Sequence, residues 1–271
     1  MTTAYRPSAA ARAFRGLAFA ATLLATLPVA PAARAFEVES AGLTVTVAPT
    51  IASDYLFRGI SQTRNNWAYQ GTVDVQHASG FYIGGFVSNA KFLANNPYNN
   101  TRQEVDALAG YRLALGDVNL DLGYIGYFYP GQEKPPGGVQ HNEFHEIAVK
   151  ANTTIGRVKL LAAGYYSPNY FGRSGDGFYV EGGADVTLPY EITVAGRLGY
   201  QWIERNPLFG TPDYLNFSLN VSREIYGGVI ASIGVAGTDI RKRECAPVAG
   251  GADNGQRICD TRALFTLSRV F

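Results

Sequence analysis

The chain has 271 residues, with 23 Lys+Arg set against 22 Asp+Glu, 31 Gly, 17 Tyr, 15 Phe, two Cys and one Met. The near-neutral balance argues against a nucleic-acid binder, which would show a basic stripe, and the length allows one large all-β domain or two small ones. A mean hydropathy of −0.05 does not by itself exclude a membrane protein, because a β-barrel alternates lipid-facing apolar residues with polar residues facing its lumen.

In chain order, the first element is not part of a fold. Arg6, Arg12 and Arg15 form a basic start, Gly16 to Ala30 an apolar run, and Ala33-Arg34-Ala35 a small-x-small cleavage site. This is the layout of a secretory signal peptide. The apolar run falls short of the about 20 residues that a transmembrane helix requires, so an uncleaved anchor is the poorer reading. Residues 1–35 are therefore set apart, and the mature domain is expected over residues 36–271. Cleavage removes four arginines and no acid, which leaves 19 basic against 22 acidic residues, or a net charge of −3.

From there the sequence alternates with period two rather than 3.6. Trp67, Tyr69, Gly71, Val73 and Val75 are interleaved with Ala68, Gln70, Thr72, Asp74 and Gln76. Val105, Ala107, Ala109, Tyr111 and Leu113 likewise oppose Glu104, Asp106, Leu108, Gly110 and Arg112. The same split recurs around 118–124, 178–186, 191–202 and 215–221, and no charged residue falls on the apolar face of these six segments. A soluble β-sandwich also alternates, but it shows charges to solvent and hides its apolar face. Here the polar face mixes Gly, Asn, Ser and Thr with its charges, which suits a hydrated lumen.

The spacing predicts twelve strands, at 43–57, 67–77, 81–91, 103–114, 118–129, 142–153, 157–167, 177–188, 191–203, 213–224, 228–239 and 260–271. Their connections alternate in length. Short turns such as Ala78-Ser79-Gly80 and Leu115-Gly116-Asp117 follow long polar loops at 58–66, 92–102, 130–141, 168–176, 204–212 and 240–259. Outer-membrane barrels share this habit, together with an even strand number. The expected fold class is thus all-β, a single transmembrane antiparallel up-and-down barrel.

Tyr55, Phe57, Trp67, Tyr69, Tyr124, Phe128, Tyr166, Tyr200 and Trp202 lie beside the long loops and read as an aromatic girdle at headgroup level. The last strand stops on Phe271, the ending that barrel assembly machinery reads. Arg269 shares the register of Phe271, a defect that snorkelling to the headgroups would relieve. Cys245 and Cys259 close a short loop in an exported chain and read as a disulfide, against a free or metal-bound pair that lacks nearby His or Cys.

Inward parity selects Asp54, Arg58, Asp74, Glu104, Asp106, Arg112, Asp121, Glu181, Asp185 and Arg197 as lumen-lining candidates, with Glu146, Lys150, Arg157 and Lys159 beside them. Both signs occur, so no strong single-sign selectivity is expected. Asp54 and Arg58 would stand about 13 Å apart on an extended strand and would need separate partners. A barrel of twelve strands lies between one filled by side chains and one with an open channel: a narrow pore, with an outer loop folded inward as one way of blocking it.

The run Ser53-Asp54-Tyr55-Leu56-Phe57-Arg58-Gly59-Ile60-Ser61-Gln62 resembles the hallmark of the TorF-type porin family of Gram-negative bacteria. Gly80-Phe81-Tyr82-Ile83-Gly84, Glu104-Val105-Asp106 through Gly110-Tyr111, Leu122-Gly123-Tyr124, Tyr129-Pro130-Gly131, Tyr166 through Phe171, Asp213-Tyr214-Leu215 and Phe271 are similar to further blocks of that family, in order. The resemblance implies an outer-membrane barrel and says little about cargo.

Catalysis is not expected. His77, His141 and His145 are the whole histidine inventory. His77 falls at a short turn, and His145 shares a face with Ile147, Val149 and Ala151 that points to lipid, so a metal or a hydrolase triad finds poor material. Neither cofactor nor metal is expected. The functional expectation is passive diffusion of small polar solutes through an outer-membrane channel; the alternative is a closed structural or surface-contact barrel. Expected partners are outer-membrane lipid, the assembly machinery through Phe271, and small polar solutes, with no nucleic acid. Nothing marks a subunit interface, and the oligomeric state stays open.

Overall fold

A computed structural model describes residues 35–91, 101–131, 142–206, 212–248 and 257–271. The expected signal peptide up to residue 34, His141, and parts of the long loops lie outside the described residues.

The period-two segments all form strands. In chain order they are β1 (Phe36–Val38), β2 (Leu43–Ala52), β3 (Leu56–Phe57), β4 (Ile60–Ser61), β5 (Ala68–His77), β6 (Phe81–Asn89), β7 (Gln103–Leu115) and β8 (Val118–Phe128). They continue as β9 (Phe144–Ile155), β10 (Val158–Ser167), β11 (Gly177–Thr187), β12 (Thr193–Ile203), β13 (Tyr214–Tyr226), β14 (Val229–Thr238) and β15 (Arg262–Arg269). A short helix, Lys242–Val248, precedes β15. Each of β5 to β15 pairs antiparallel with its neighbour in sequence, and β2 pairs with both β5 and β15. Twelve strands therefore close an up-and-down barrel, as the alternation and loop lengths predict.

The barrel is inverted relative to a soluble protein. Leu198 (56% exposed), Ile147 (59%) and Ile83 (63%) stand on its outside, while Glu104 (0%) and Asp106 (2%) are buried. Parity enforces this, because successive side chains point to opposite faces. Hydrocarbon enforces it again, because a cation facing lipid near the midplane costs about 2–4 kcal/mol.

The closing seam is made differently from the others. β15 and β2 share three residue pairs, Thr266↔Ala52, Leu267↔Ile51 and Ser268↔Thr50. Pro49, which has no N–H to give the ladder, stands just below. Beyond it Phe271 and Val47 exchange both backbone hydrogen bonds, at 2.9 and 3.0 Å. β1 then pairs with Leu43–Val45 and covers the rest of that edge. Arg269 is exposed, its guanidinium 4.5 Å above the Phe271 ring.

Strand bounds match expectation except at the start. The first strand was expected over 43–57, followed by an outer loop over 58–66. Instead β2 stops at Ala52, and residues 53–64 turn into the barrel, where Asp54 through Arg64 are all buried. β3 and β4 form a small hairpin inside the lumen, pairing Leu56↔Ser61 and Phe57↔Ile60. Its tip is Arg58-Gly59, both at positive φ (47° and 82°), the left-handed pair that a tight two-residue hairpin turn demands. Tyr55 and Phe57 are therefore not girdle residues. Trp67, Tyr69, Tyr124 and Trp202 do face outward at that level. Arg157 is also misassigned: it sits exposed in the turn between β9 and β10 rather than in the lumen.

Candidate functional site: an inward hairpin across the lumen

The hairpin is built around Asp54. Ser61 and Thr63 donate their hydroxyls to Asp54 Oδ1 at 2.6 Å, and Arg262 of β15 donates to Oδ2 at 2.7 Å. The Tyr55 amide donates to Thr63 Oγ1, and the Gln62 amide to the Tyr55 carbonyl. One carboxylate thus ties both arms of the hairpin together and fixes them to the wall. This answers the distance that kept Asp54 and Arg58 apart on an extended strand: each has its own partner, and the strand is not extended.

From that base the hairpin reaches much of the barrel's circumference. Leu56 packs in an apolar cluster with Ala236 of β14 and Leu264 of β15. The Tyr55 ring packs tilted against Phe86 of β6 with centroids 5.5 Å apart, and its hydroxyl donates to Glu104 of β7 at 2.6 Å. Gly59 lies so close to β14 that a Cβ there would come within 2.6 Å of Thr238 Cγ2 and 2.7 Å of the Gly237 carbonyl. The Ser61 amide donates to the Ile258 carbonyl, and Ile60 shares a cluster with the Cys245–Cys259 bridge and Tyr214. The bridge, spanning 14 residues, thus holds the last long loop against the hairpin.

Arg58 makes the deepest contact. Its Nη2 donates to Glu146 Oε2 at 2.7 Å and its Nη1 to Gln201 Oε1 at 2.6 Å, joining β9 to β12. The guanidinium lies 4.1 Å from the Tyr179 ring centroid, 4.8 Å from Phe57 and 5.1 Å from Tyr165. Tyr127 donates to the same Glu146 oxygen at 3.0 Å. Arg58 is 2% exposed. A charge so buried needs both hydrogen bonds and an opposite charge, and this box supplies them with aromatic faces besides.

A second charged layer lies toward the short turns. Arg112 donates to both oxygens of Asp74 (2.9 and 2.8 Å) and to Gln76, stands 3.5 Å from Asp121, and lies 3.7 Å over the Tyr82 ring. Tyr82 crosses the bare strands at Gly110 and Gly123, where a Cβ would come within 2.6 and 2.8 Å of its hydroxyl, and donates to Asp121. On the opposite wall Arg197 pairs with Asp185 at 2.6 Å, and Glu181 accepts from Tyr179. Lys150 is buried directly across from Asp121, and Lys159, half-buried, stands across from Asp185.

The sequence candidates therefore divide. Asp74, Arg112 and Asp121 come together, as do Asp185 and Arg197. Arg58 meets Glu146, which parity also selected. Glu104 and Asp106 stand two residues apart on β7. Tyr127, Tyr165 and Tyr179 are not among the candidates because an inward aromatic in a strand looks like ordinary β-propensity; Gln201 is missed as an uncharged inward residue and Tyr170 as part of a loop. Outside the barrel His145 hydrogen-bonds Tyr124 at 2.7 Å and packs edge-on to Phe128. His77 bonds Ser79 in a turn. Among the described residues no group of three His, Cys, Asp or Glu is placed to hold a metal.

Residues 37–271 match the family model described as "Bacterial protein of unknown function (Gcw_chp)". The chain belongs to the Gcw_chp family. No curated protein sequence matches this Gcw_chp chain significantly. Among solved structures it is similar to the KdgM porin, at 11% identity over 83% of this chain and 99% of that one, with a TM-score of 0.53. A KdgM porin in complex with disordered oligogalacturonate gives 10% identity, the same coverages and 0.52. The NanC porin gives 11%, 83%, 98% and 0.50. At such identities the likeness concerns fold: this Gcw_chp protein has the barrel architecture of porins.

Proposed function

We propose that this protein is an outer-membrane channel of porin type, through which small polar solutes pass by passive diffusion past a lumen narrowed by the Ser53–Asn66 segment. One observation carries the reading: the barrel turns its apolar side chains outward and encloses layers of charged ones. Such an inversion is stable where lipid surrounds the wall and water enters the lumen. The likeness to porin barrels supports it. So does the resemblance of Ser53 through Gln62 to the TorF-type porins, since that same run forms the inward hairpin. In this reading residues 1–35 are a signal peptide removed on export, the short turns and both mature ends face the periplasm, and Phe271 serves recognition by the assembly machinery.

The second reading is a closed barrel with a structural or surface-contact role. The contacts of the hairpin with β6, β7, β9, β12, β14 and β15 favour it. Single-channel recording of the refolded mature protein in planar bilayers separates the two. Discrete conductance steps support the channel. Their absence in protein shown to be folded by heat-dependent gel mobility removes it.

A further inference from the structure

The Arg58 box is unusual in who supplies what. Every group that grips the guanidinium, apart from Phe57, belongs to the wall or its outer rim: Glu146 on β9, Gln201 on β12, Tyr165 on β10, Tyr179 on β11 and Tyr170 just beyond β10. The wall partners are themselves braced. Gln201 Nε2 donates to the Phe178 and Trp202 carbonyls, which leaves its Oε1 turned to Arg58. Tyr127 stacks on Phe144 with centroids 4.2 Å apart and holds Glu146. The wall is pre-organised for a planar cation: an ionic acceptor, a neutral acceptor and aromatic rings around them.

The cation that fills it arrives on a strained support. Arg58 adopts φ 47°, a left-handed conformation that non-glycine residues take at a cost and that the two-residue turn between Phe57 and Ile60 imposes. Charge at this level is also unbalanced. Glu104, Asp106 and Glu146 are all buried wall carboxylates, and of the two buried arginines of the inward segment it is Arg58 that reaches Glu146. Asp106 is 2% exposed, and neither of its oxygens has a hydrogen-bond partner among the described residues. Its electrostatic neighbours are the carboxylates of Glu104 and Glu146. Lys150 stands two inward positions beyond Glu146 on β9, across from Asp121, with its Nζ 5.8 Å from the Tyr165 ring. With the hairpin withdrawn, the wall presents an aromatic box beside three carboxylates and one ammonium.

We infer that the Glu146–Gln201–Tyr165–Tyr179 box is a binding site for the guanidinium or alkylammonium end of a solute, and that Arg58 is a tethered occupant that such a solute displaces. The inference rests on the channel reading only for its physiological meaning; the binding chemistry stands apart from it. Solute cation and hairpin compete for one site, so entry of the first withdraws the second.

The test uses the refolded mature barrel as wild type, Arg58→Ala, Arg58→Gln and Arg58→Ala with Glu146→Gln, probed with methylguanidinium and its neutral counterpart methylurea. Thermal unfolding in detergent reads binding without requiring conductance. Methylguanidinium is expected to stabilise Arg58→Ala at millimolar concentration and methylurea to leave it unchanged. Wild type, whose box is filled, and the double variant, whose box lacks its charge, should respond at least about tenfold more weakly. Arg58→Gln keeps side-chain bulk and is expected to behave like Arg58→Ala; it serves if the alanine variant fails to fold. Equal responses to the two compounds, or equal responses in the single and double variants, would overturn the site. Bilayer recording of the same samples separates the two ideas. Binding without current removes the channel and keeps the site, while current without a binding difference does the reverse.

Discussion

Gly59→Ala isolates the docking of the inward hairpin from the integrity of the barrel. At φ +82° an L-residue meets the left-handed penalty of roughly 1–2 kcal/mol. The new methyl would also lie 2.7 Å from the Gly237 carbonyl, and that oxygen belongs to a wall residue held in register with Phe217 of β13, so it retreats only by disturbing the ladder. Relief must come from the hairpin. With the contact adding about 1 kcal/mol of off-geometry strain, the total reaches about 2–3 kcal/mol, or a shift of roughly 30- to 150-fold in the docked-to-undocked ratio. Limited trypsin digestion reads this directly, because Arg58 and Arg64 are both buried while the hairpin is docked (2% and 9% exposed). Cleavage after these residues should quicken by about that factor, with the heat-dependent gel shift of the barrel unchanged. Wild-type cleavage rates in a folded Gly59→Ala protein would refute the tight approach on which the hairpin's placement depends.

Three other outcomes are expected. Val149→Arg, midway along the outward row of β9, should cost about 2–4 kcal/mol in urea unfolding from lipid vesicles; a loss below about 1 kcal/mol would mean that this face does not meet hydrocarbon. Replacing Cys245 and Cys259 by Ser opens a loop of 14 residues whose closure is worth about 3 kcal/mol. Since Ile258 and Ile60 bind that loop to the hairpin, trypsin cleavage after Arg58 and Arg64 should quicken here as well, and an unchanged rate would uncouple bridge from hairpin. Arg112→Met strips from Asp74 the cationic partner it has among the described residues and leaves Asp121 without that neighbour. Breaking a buried pair costs about 3–5 kcal/mol, and a thermal midpoint equal to wild type would show that water screens this layer.

The wall of the barrel was legible because lipid leaves little room for ambiguity. A charge at the wrong parity is penalised at every strand, so Glu104, Asp106 and Arg112 could be assigned inward beside Val105, Ala107 and Tyr111 outward from alternation alone. The hairpin was not legible for the same reason in reverse. Ser53, Tyr55 and Phe57 continue the outward parity of Val47 and Ile51, so the strand looks unbroken through residue 57, and parity cannot detect a chain that leaves the wall. Two local signs were available: Arg58-Gly59 between Leu56-Phe57 and Ile60-Ser61 has the form of a tight hairpin, and Ile60 is out of place in a polar outer loop. The wall partners Gln201, Tyr165 and Tyr179 become visible only when the barrel brings β10, β11 and β12 to face residue 58, more than a hundred positions earlier in the chain.

The pairing of Phe271 with Val47 makes one residue the clasp of the seam. Below Pro49 the flank of β2 is met by β15 no further than Thr50 and by β1 no higher than Val45, so Val47 takes its two backbone hydrogen bonds from Phe271. Raw strand flanks are not tolerated in hydrocarbon. Loss of Phe271 would therefore open the cylinder at this one point while the other eleven seams stayed whole.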